Sequence, residues 1–463
     1  MNLGFYKEKE GLKWIYPFFP LLLIVGFILR ILFSPSWTYE GDFGSWKGWA
    51  YGISKVGFSE FYDEYWCDYM PGYLYILWLL QHLHTAFPMI PDTILFKLPA
   101  NLSDLGISIV IFYVLRNITN VRNAKIASLA YFFNPASLSN STFWGQVDSV
   151  HTLPLLVSIF LGVRRHFVIS IVFAVIAFMI KPQSIVIFPI IGFFVIRDVI
   201  RRKKEDRLFL KTFILGVKIF ATSIITIIVI TLPFIWDEIA KDSLTGIIIE
   251  PIFFIKERFF MAYNQYKYTS LNAFNFWAMI HGMWISDQDM FLDITYKRWG
   301  TIIFGAFYAL IFGFLFLSEV MRRSEAGFKN FEYIKSENAY GMTADGLLTF
   351  RTFHVVTLIL FALFLFVTRA HERHFLPTIV FFTMIVFRSR LYWLFYALIS
   401  LVYVINMAYA YIERYPIHSF SSSIIEVCIP GMVIMLLFVF LVVLADFIKN
   451  SLSLYKGEVI KER

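Results

Sequence analysis

Apolar runs of bilayer length follow one another from Trp14 to Phe447, separated by short polar stretches. A run that crosses hydrocarbon must be helical, because lipid offers no hydrogen-bond partner to an unpaired backbone amide. Composition agrees: 58% of the residues are hydrophobic, 16% are charged and the mean hydropathy is +0.66, outside the balance of soluble domains. The run lengths exclude a membrane β-barrel, whose strands need only about ten alternating residues. A formal charge of +8 would suit nucleic acid, but the basic residues sit in short loops between apolar runs. That is the pattern that orients a chain in a membrane, so no nucleic acid partner is expected. Cys67 and Cys428 match no metal or redox spacing. The start lacks a small-residue cleavage site, so Trp14 to Phe33 is expected to be a retained span with Lys7, Lys9 and Lys13 cytoplasmic.

The topology turns on Met70 to His84. It is short for a span and carries Gln81, His82 and His84, whereas about 20 apolar residues are needed, so it is expected to lie at the interface or re-enter. The other runs are 14–33, 94–115, 124–141, 148–163, 166–180, 184–198, 208–234, 300–321, 352–368, 374–388, 391–412 and 425–447. They predict an all-α integral membrane protein of about twelve transmembrane helices. The basic clusters then share one side, expected to be cytoplasmic: Arg116, Arg122 and Lys125; Arg164 and Arg165; the stretch from Arg197 to Arg207; Arg322 and Arg323; Arg388 and Arg390; and the C-terminal KGEVIKER. Two long loops, 36–91 and 235–299, are expected on the extracytoplasmic side. No repeat, linker or low-complexity tract divides residues 1–463, which read as a single polytopic membrane domain, expected to be a monomer.

The first long loop crowds Glu40, Asp42, Asp63, Glu64 and Asp68 among aromatic residues. Asp42, Trp46 and Trp49 have i, i+4, i+7 spacing, so on a helix they share a face. A carboxylate beside indole plates suits a sugar, the ring packing on the pyranose and the carboxylate accepting a hydroxyl proton. An interfacial helix with tryptophans in the headgroup belt has the same pattern. In NPASLSNSTFWGQVDSVH, Asn134-Pro135 should interrupt a span before Asp148 opens the next, with Gln146 just ahead and His151 on the same face. Ionisable groups there are expensive unless used, although Asp148 could also serve as an N-cap. Lys181 in FMIKPQ falls on the outer side against the positive-inside trend, where a cation can hold an anionic ligand. FVTRAHERHFLP sets Arg369, His371, Glu372, Arg373 and His374 at a span end. Its Arg and His groups match phosphate in charge and hydrogen-bond geometry. Snorkelling and metal binding are the alternatives there, the second weakened by the lack of a third histidine nearby. In the second loop Asn272 and Asn275 share a helical face and either meet sugar hydroxyls or cap a helix.

In this order, the acidic first loop with Asp42, CDYMPGYLYIL, KLPANLSDLG, NPASLSNSTFWGQVDS, KPQ, SLNAFNFW and HERHFLP resemble the GT-C superfamily of polytopic glycosyltransferases. Within it they are similar to the prokaryotic relatives of the GPI mannosyltransferase PIG-V, from Tyr39 to about Pro377. Two positions depart from the pattern. Gly41 separates Glu40 from Asp42 where paired acids are common, which leaves the base open between them, and His374 stands where an aromatic is commoner. The resemblance implies an inverting transfer of a hexose, commonly mannose, from a polyprenyl-phosphate donor to an acceptor hydroxyl at the extracytoplasmic face. On that basis Asp42 is the expected catalytic base, and His371, Arg373, Lys181 and Arg369 are expected at the donor phosphate. Glu40, Trp46, Asp68, Gln146, Asp148 and Asn272 are expected at the sugar or acceptor. Membrane lipid surrounds the chain, the acceptor is a glycan, glycolipid or protein, and no cofactor or metal is expected. Competing readings are a transporter or flippase of lipid-linked glycans, with charges near the midplane of paired repeats, and a surface-glycan ligase.

Overall fold

The computed structural model describes residues 15–202, 207–241, 246–320, 344–415 and 422–456. Lys7, Lys9, Lys13, Lys203, Lys204, Arg322, Arg323 and 457–463, all expected to be cytoplasmic, lie outside the described residues.

Helix dominates. The first part of the chain forms α1 (Ile15–Phe33), α2 (Glu40–Val56), α3 (Phe61–Glu64), α4 (Pro71–Ala86), α5 (Asp92–Leu115), α6 (Val121–Phe132), α7 (Pro135–Ser137), α8 (Asp148–Val163), α9 (Phe167–Ile180), α10 (Phe188–Arg201) and α11 (Leu208–Thr231). The second part forms α12 (Trp236–Lys241), α13 (Gly246–Asn264), α14 (Phe276–His281), α15 (Tyr296–Val320), α16 (Ala344–Phe366), α17 (Leu376–Thr383), α18 (Arg390–Arg414) and α19 (Ser422–Lys456). Four two-residue strands complete it: β1 (Ser270–Leu271) pairs in parallel with β4 (Ala370–His371), and β2 (Met290–Phe291) pairs antiparallel with β3 (Ile294–Thr295).

Seven helical segments among the described residues are long and apolar enough to cross a membrane: Asp92–Leu115, Pro182–Ile200, Leu208–Phe234, Tyr296–Glu319, Gly346–Phe366, Arg390–Arg414 and Ser423–Ser453. Shorter apolar helices run over Phe18–Phe33, Asp148–Val163 and Phe167–Ile180. The chain is an all-α membrane protein. Inside it α16 is the most enclosed of the long helices, whereas α11 exposes its most apolar stretch. Close packing comes from paired serines: Ser108 and Ser128 approach to 2.7 Å between α5 and α6, and each bonds the other's carbonyl. Ser158 and Ser170 exchange the same bonds between α8 and α9. Small hydroxyl residues let helix backbones approach where lipid cannot drive association.

Two expected spans take another form. The run 124–141 breaks at Phe132, as expected from Asn134-Pro135, and continues through α7 into a π-helical turn, Leu138–Trp144. The run 374–388 contains only the short α17, all of whose residues are buried, between 3-10 turns. Apolar sequence enclosed by protein has the same composition as apolar sequence facing lipid, which is why counting residues merged the two cases.

The charged groups gather at two ends. At one, Arg165 and Arg202 flank Asp198, and Arg197 and Arg351 grip Glu319 at 3.0 and 2.8 Å. Arg351 also reaches Ser451, and Arg388 pairs with Asp446 at 3.0 Å. At the other end lie α2, the start of α8 and the segment before α17. Helix α4 stays there too: an atom added to Gly72 would meet the Met179 carbonyl near the end of α9, and His84 Nδ1 lies 2.8 Å from Asp92 at the start of α5. It does not reach the arginine-rich end.

Candidate functional site

Asp42 sits in the first turn of α2, half exposed. Its Oδ2 accepts Trp144 Nε1 at 2.8 Å and the Gln146 side-chain amide. Tyr39, just before the helix, stacks on Trp144 with centroids 4.2 Å apart. Glu40 is exposed, and only its backbone amide is engaged, by the Tyr415 hydroxyl at 2.9 Å. Of the two acids, Asp42 faces the interior. Trp46 does not: it is 1% exposed and packs edge-on to Tyr73, so its ring belongs to the core and is closed to a ligand. Trp49 is buried as well, donating to the Trp66 carbonyl at 2.8 Å.

The turn that holds Asp42 is itself fastened. Gly145 has φ 86°, ending the π-helical turn in the left-handed region that suits glycine. Lys97, fully buried, donates to the carbonyls of Ser34 and Phe143 at 2.7 and 2.6 Å and to that of Trp37. Below it Arg30 and Asp104 form a buried ion pair at 2.7 Å. Arg30 also reaches the Phe132 carbonyl and Ser137, and Asp104 takes Tyr131 and Ser149. A buried pair is stable only when its remaining valences are filled, as they largely are here. An ionisable residue inside an apolar run was the available signal for Lys97 and Asp104.

Asp148 opens α8 without capping it: its Oδ1 takes Lys181 Nζ at 2.8 Å, with His151 Nε2 at 3.9 Å. His151 is held by Ser184 and Gln183.

The HERH segment forms a 3-10 turn after β4. Burial, then the charges of Arg373 and Lys181, push the His371 imidazole well below its ordinary value. Burial, then His371 and Lys181, do the same to His374. Both shifts favour the neutral imidazole, which suits a donor or proton acceptor. The positive charge belongs to Arg373, which bonds Glu372 at 2.9 Å. Burial opposes that charge, yet the carboxylates of Asp42 and Glu372 hold the guanidinium well above its usual value. Asp42 and the HERH turn are thus electrostatic neighbours.

Two expected residues already have partners, and of them Arg369 also lines the cavity described below. Arg369 gives Nε to the buried Asp287 at 2.6 Å and also reaches the Tyr263 carbonyl, so its charge is already neutralised. Asn272 has φ 59° and bridges to His371 at a strand end, not on a helix shared with Asn275. Its Oδ1 accepts Trp284 Nε1 at 2.8 Å, whereas Asn275 caps α14 through the Ala278 amide at 3.0 Å.

A cavity of about 320 Å³ opens beside these groups. Asp68, Lys181, Gln183, His371, Arg373 and His374 give its polar wall. Ile180 of α9, Phe259 of α13 and Leu360, Leu363 and Phe364 of α16 give the apolar one. Burial raises the Asp68 carboxyl above the usual range. Asp42, Gln146 and Asp148 do not line the cavity; the carboxylates act on it through Arg373 and Lys181. Among the described residues, no cluster of three or more His, Cys, Asp or Glu could hold a metal ion.

No protein-family model matches the chain, and no curated protein matches it.

Proposed function

We propose that the chain is a membrane glycosyltransferase of GT-C type that moves a hexose, in the first instance mannose, from a polyprenyl-phosphate donor to an acceptor hydroxyl with inversion. The site faces the extracytoplasmic side, in a topology of about twelve spans with the loops 36–91 and 235–299 outside. The observation that supports this reading most is a cavity with one polar wall, which carries Arg373, and one apolar wall. A lipid-linked sugar phosphate has that same division.

In the reaction Asp42 accepts the acceptor's hydroxyl proton as the oxygen attacks the anomeric carbon and the bond to the phosphate oxygen breaks. Arg373 stabilises the charge growing on the departing phosphate. Neutral His371 and His374 supply hydrogen bonds there, not charge. Lys181, paired with Asp148 at 2.8 Å, places an ammonium group in the same wall. Asp68 contacts the sugar from the cavity, and Gln146 orients the base. Trp46 and Asn272 brace the site from outside the cavity, and Arg369, its charge matched by Asp287, stands in the cavity wall.

The test is incubation of the purified protein with a panel of polyprenyl-phosphate hexoses, scoring released polyprenyl phosphate. Asp42→Asn should lower turnover by about 10²–10⁴-fold, the usual worth of a general base, with donor binding retained. Turnover by Asp42→Asn at the original rate would remove Asp42 from the base role, and no release from any donor would remove the enzyme.

A further inference from the structure

The hairpin β2–β3 displays three apolar side chains at its tip: Met290, Phe291 and Leu292 are 68%, 56% and 72% exposed. Its two-residue turn places Leu292 and Asp293 at φ 52° and 59°. Such turns ordinarily use Asn and Gly, since a side chain in the left-handed region is strained. No packing inside the protein repays a strained leucine that is largely exposed.

The tip's position indicates what it meets. Trp299 Nε1 donates to the Phe291 carbonyl at 2.9 Å, and Trp299 lies one turn inside the spanning helix α15. The tip therefore folds down beside the first turn of a span and does not stand away from it. On the next turn of α15, Ile302 is 51% exposed, as a lipid-facing residue is, and Arg298, before Trp299, is exposed too. The base of the hairpin is rigid. The Asp287 amide donates to the Lys267 carbonyl, the Lys297 amide to the Asp287 carbonyl, and the Asp287 carboxylate receives Arg369 and Thr368. Arg369 and Thr368 line the cavity.

We propose that this hairpin is a membrane-interface anchor. Met290, Phe291 and Leu292 seat in the headgroup and acyl boundary of the leaflet nearest the cavity, as apolar surface elements do beside aromatic belts. Arg298 meets lipid phosphates at the same depth. Through Asp287 and Arg369 the anchor fixes the height of one cavity wall relative to the lipid, a feature independent of the reaction catalysed there.

The experiment uses the full chain in nanodiscs of mixed phosphatidylcholine and phosphatidylglycerol, with the exposed Cys428 replaced by serine and the buried Cys67 kept. Leu292→Cys carries an environment-sensitive fluorophore. Lipid bearing a nitroxide near the top of its acyl chain should remove most of its emission, and aqueous iodide little. The same label on Asp63→Cys, an exposed position in α3, should respond mainly to iodide. Phe291→Cys, outside the strained positions, repeats the reading should Leu292→Cys disturb the turn. Iodide quenching at both tip positions without a nitroxide effect would overturn the proposal. Protection from both quenchers would overturn it too, by placing a protein partner or a second copy over the tip.

Discussion

His371 and His374 lie with ring centroids 5.2 Å apart, and His374 Nδ1 accepts the His371 amide at 3.3 Å. That bond uses His374 Nδ1 as an acceptor, so it needs a neutral His374 ring. Both pKa values are depressed in the fold, whereas in the unfolded chain a histidine takes a proton near pH 6.5. Below that value the unfolded state binds more protons, so stability is retained above about pH 6.5 and falls as the pH drops through it. Glu372 and Asp68, whose carboxyls are raised by burial, work in the opposite sense at lower pH. Thermal unfolding of the detergent-purified protein should therefore show a melting temperature that declines from pH 7.5 towards pH 5.5, roughly the range in which an unfolded histidine titrates. The variant His371→Gln/His374→Gln, which keeps both carboxyls, should show a shallower decline; parallel curves would contradict the assignment of neutral rings. The sequence located this segment but not its charge state, because depressing a histidine takes surroundings that come from other parts of the chain. Arg369 fared the same way: Asp287, its partner, is 82 residues distant in sequence, and no local pattern announces the pair.

At the scale of elements, the helices that position the site were legible because their apolar runs are continuous, and Asn134-Pro135 correctly marked a break. The π-helical turn after it was not legible, since a backbone that closes one residue wider leaves no periodic trace over so short a stretch. Yet that turn delivers Trp144 and Gln146 to Asp42. It ends at Gly145, where an added Cβ would fall 2.6 Å from Lys97 Cγ. Gly145→Ala therefore meets both the left-handed backbone, which costs about 1–2 kcal/mol for a residue with a side chain, and the lysine that ties Ser34, Trp37 and Phe143 together. Unfolding in detergent should show at least the backbone loss. Gly192→Ala, where nothing lies within 4 Å of the added carbon, should show far less. Equal stability of the two variants would mean that the turn relaxes freely and does not hold the carboxylate.

For the whole molecule, the separation of charge between the two ends carries the orientation. At the far end Arg165, Arg197, Arg202, Arg351 and Arg388 are tied to Asp198, Glu319 and Asp446, which holds helix ends in register, whereas Arg116 and Arg164, in short loops, lie over the rings of Tyr113 and Phe160. The end with Asp42, Asp148 and Arg373 also carries basic residues, of which Lys181, Arg369 and Arg373 are each matched by a nearby carboxylate and Arg298 is exposed beside a long loop and not in a short one. Asymmetry of unmatched basic residues in short loops is what sets membrane orientation, so the far end should be cytoplasmic. Ser59→Cys, in the loop between α2 and α3, and His166→Cys, in the exposed loop between α8 and α9, report on the two ends in a chain whose Cys428 is replaced by serine. A membrane-impermeant maleimide added to intact cells should label Ser59→Cys, and should reach His166→Cys only after permeabilisation. The reverse pattern would turn the cavity towards the cytoplasm. It would leave the geometry of Asp42 and Arg373 intact and would exclude an extracytoplasmic lipid-linked donor.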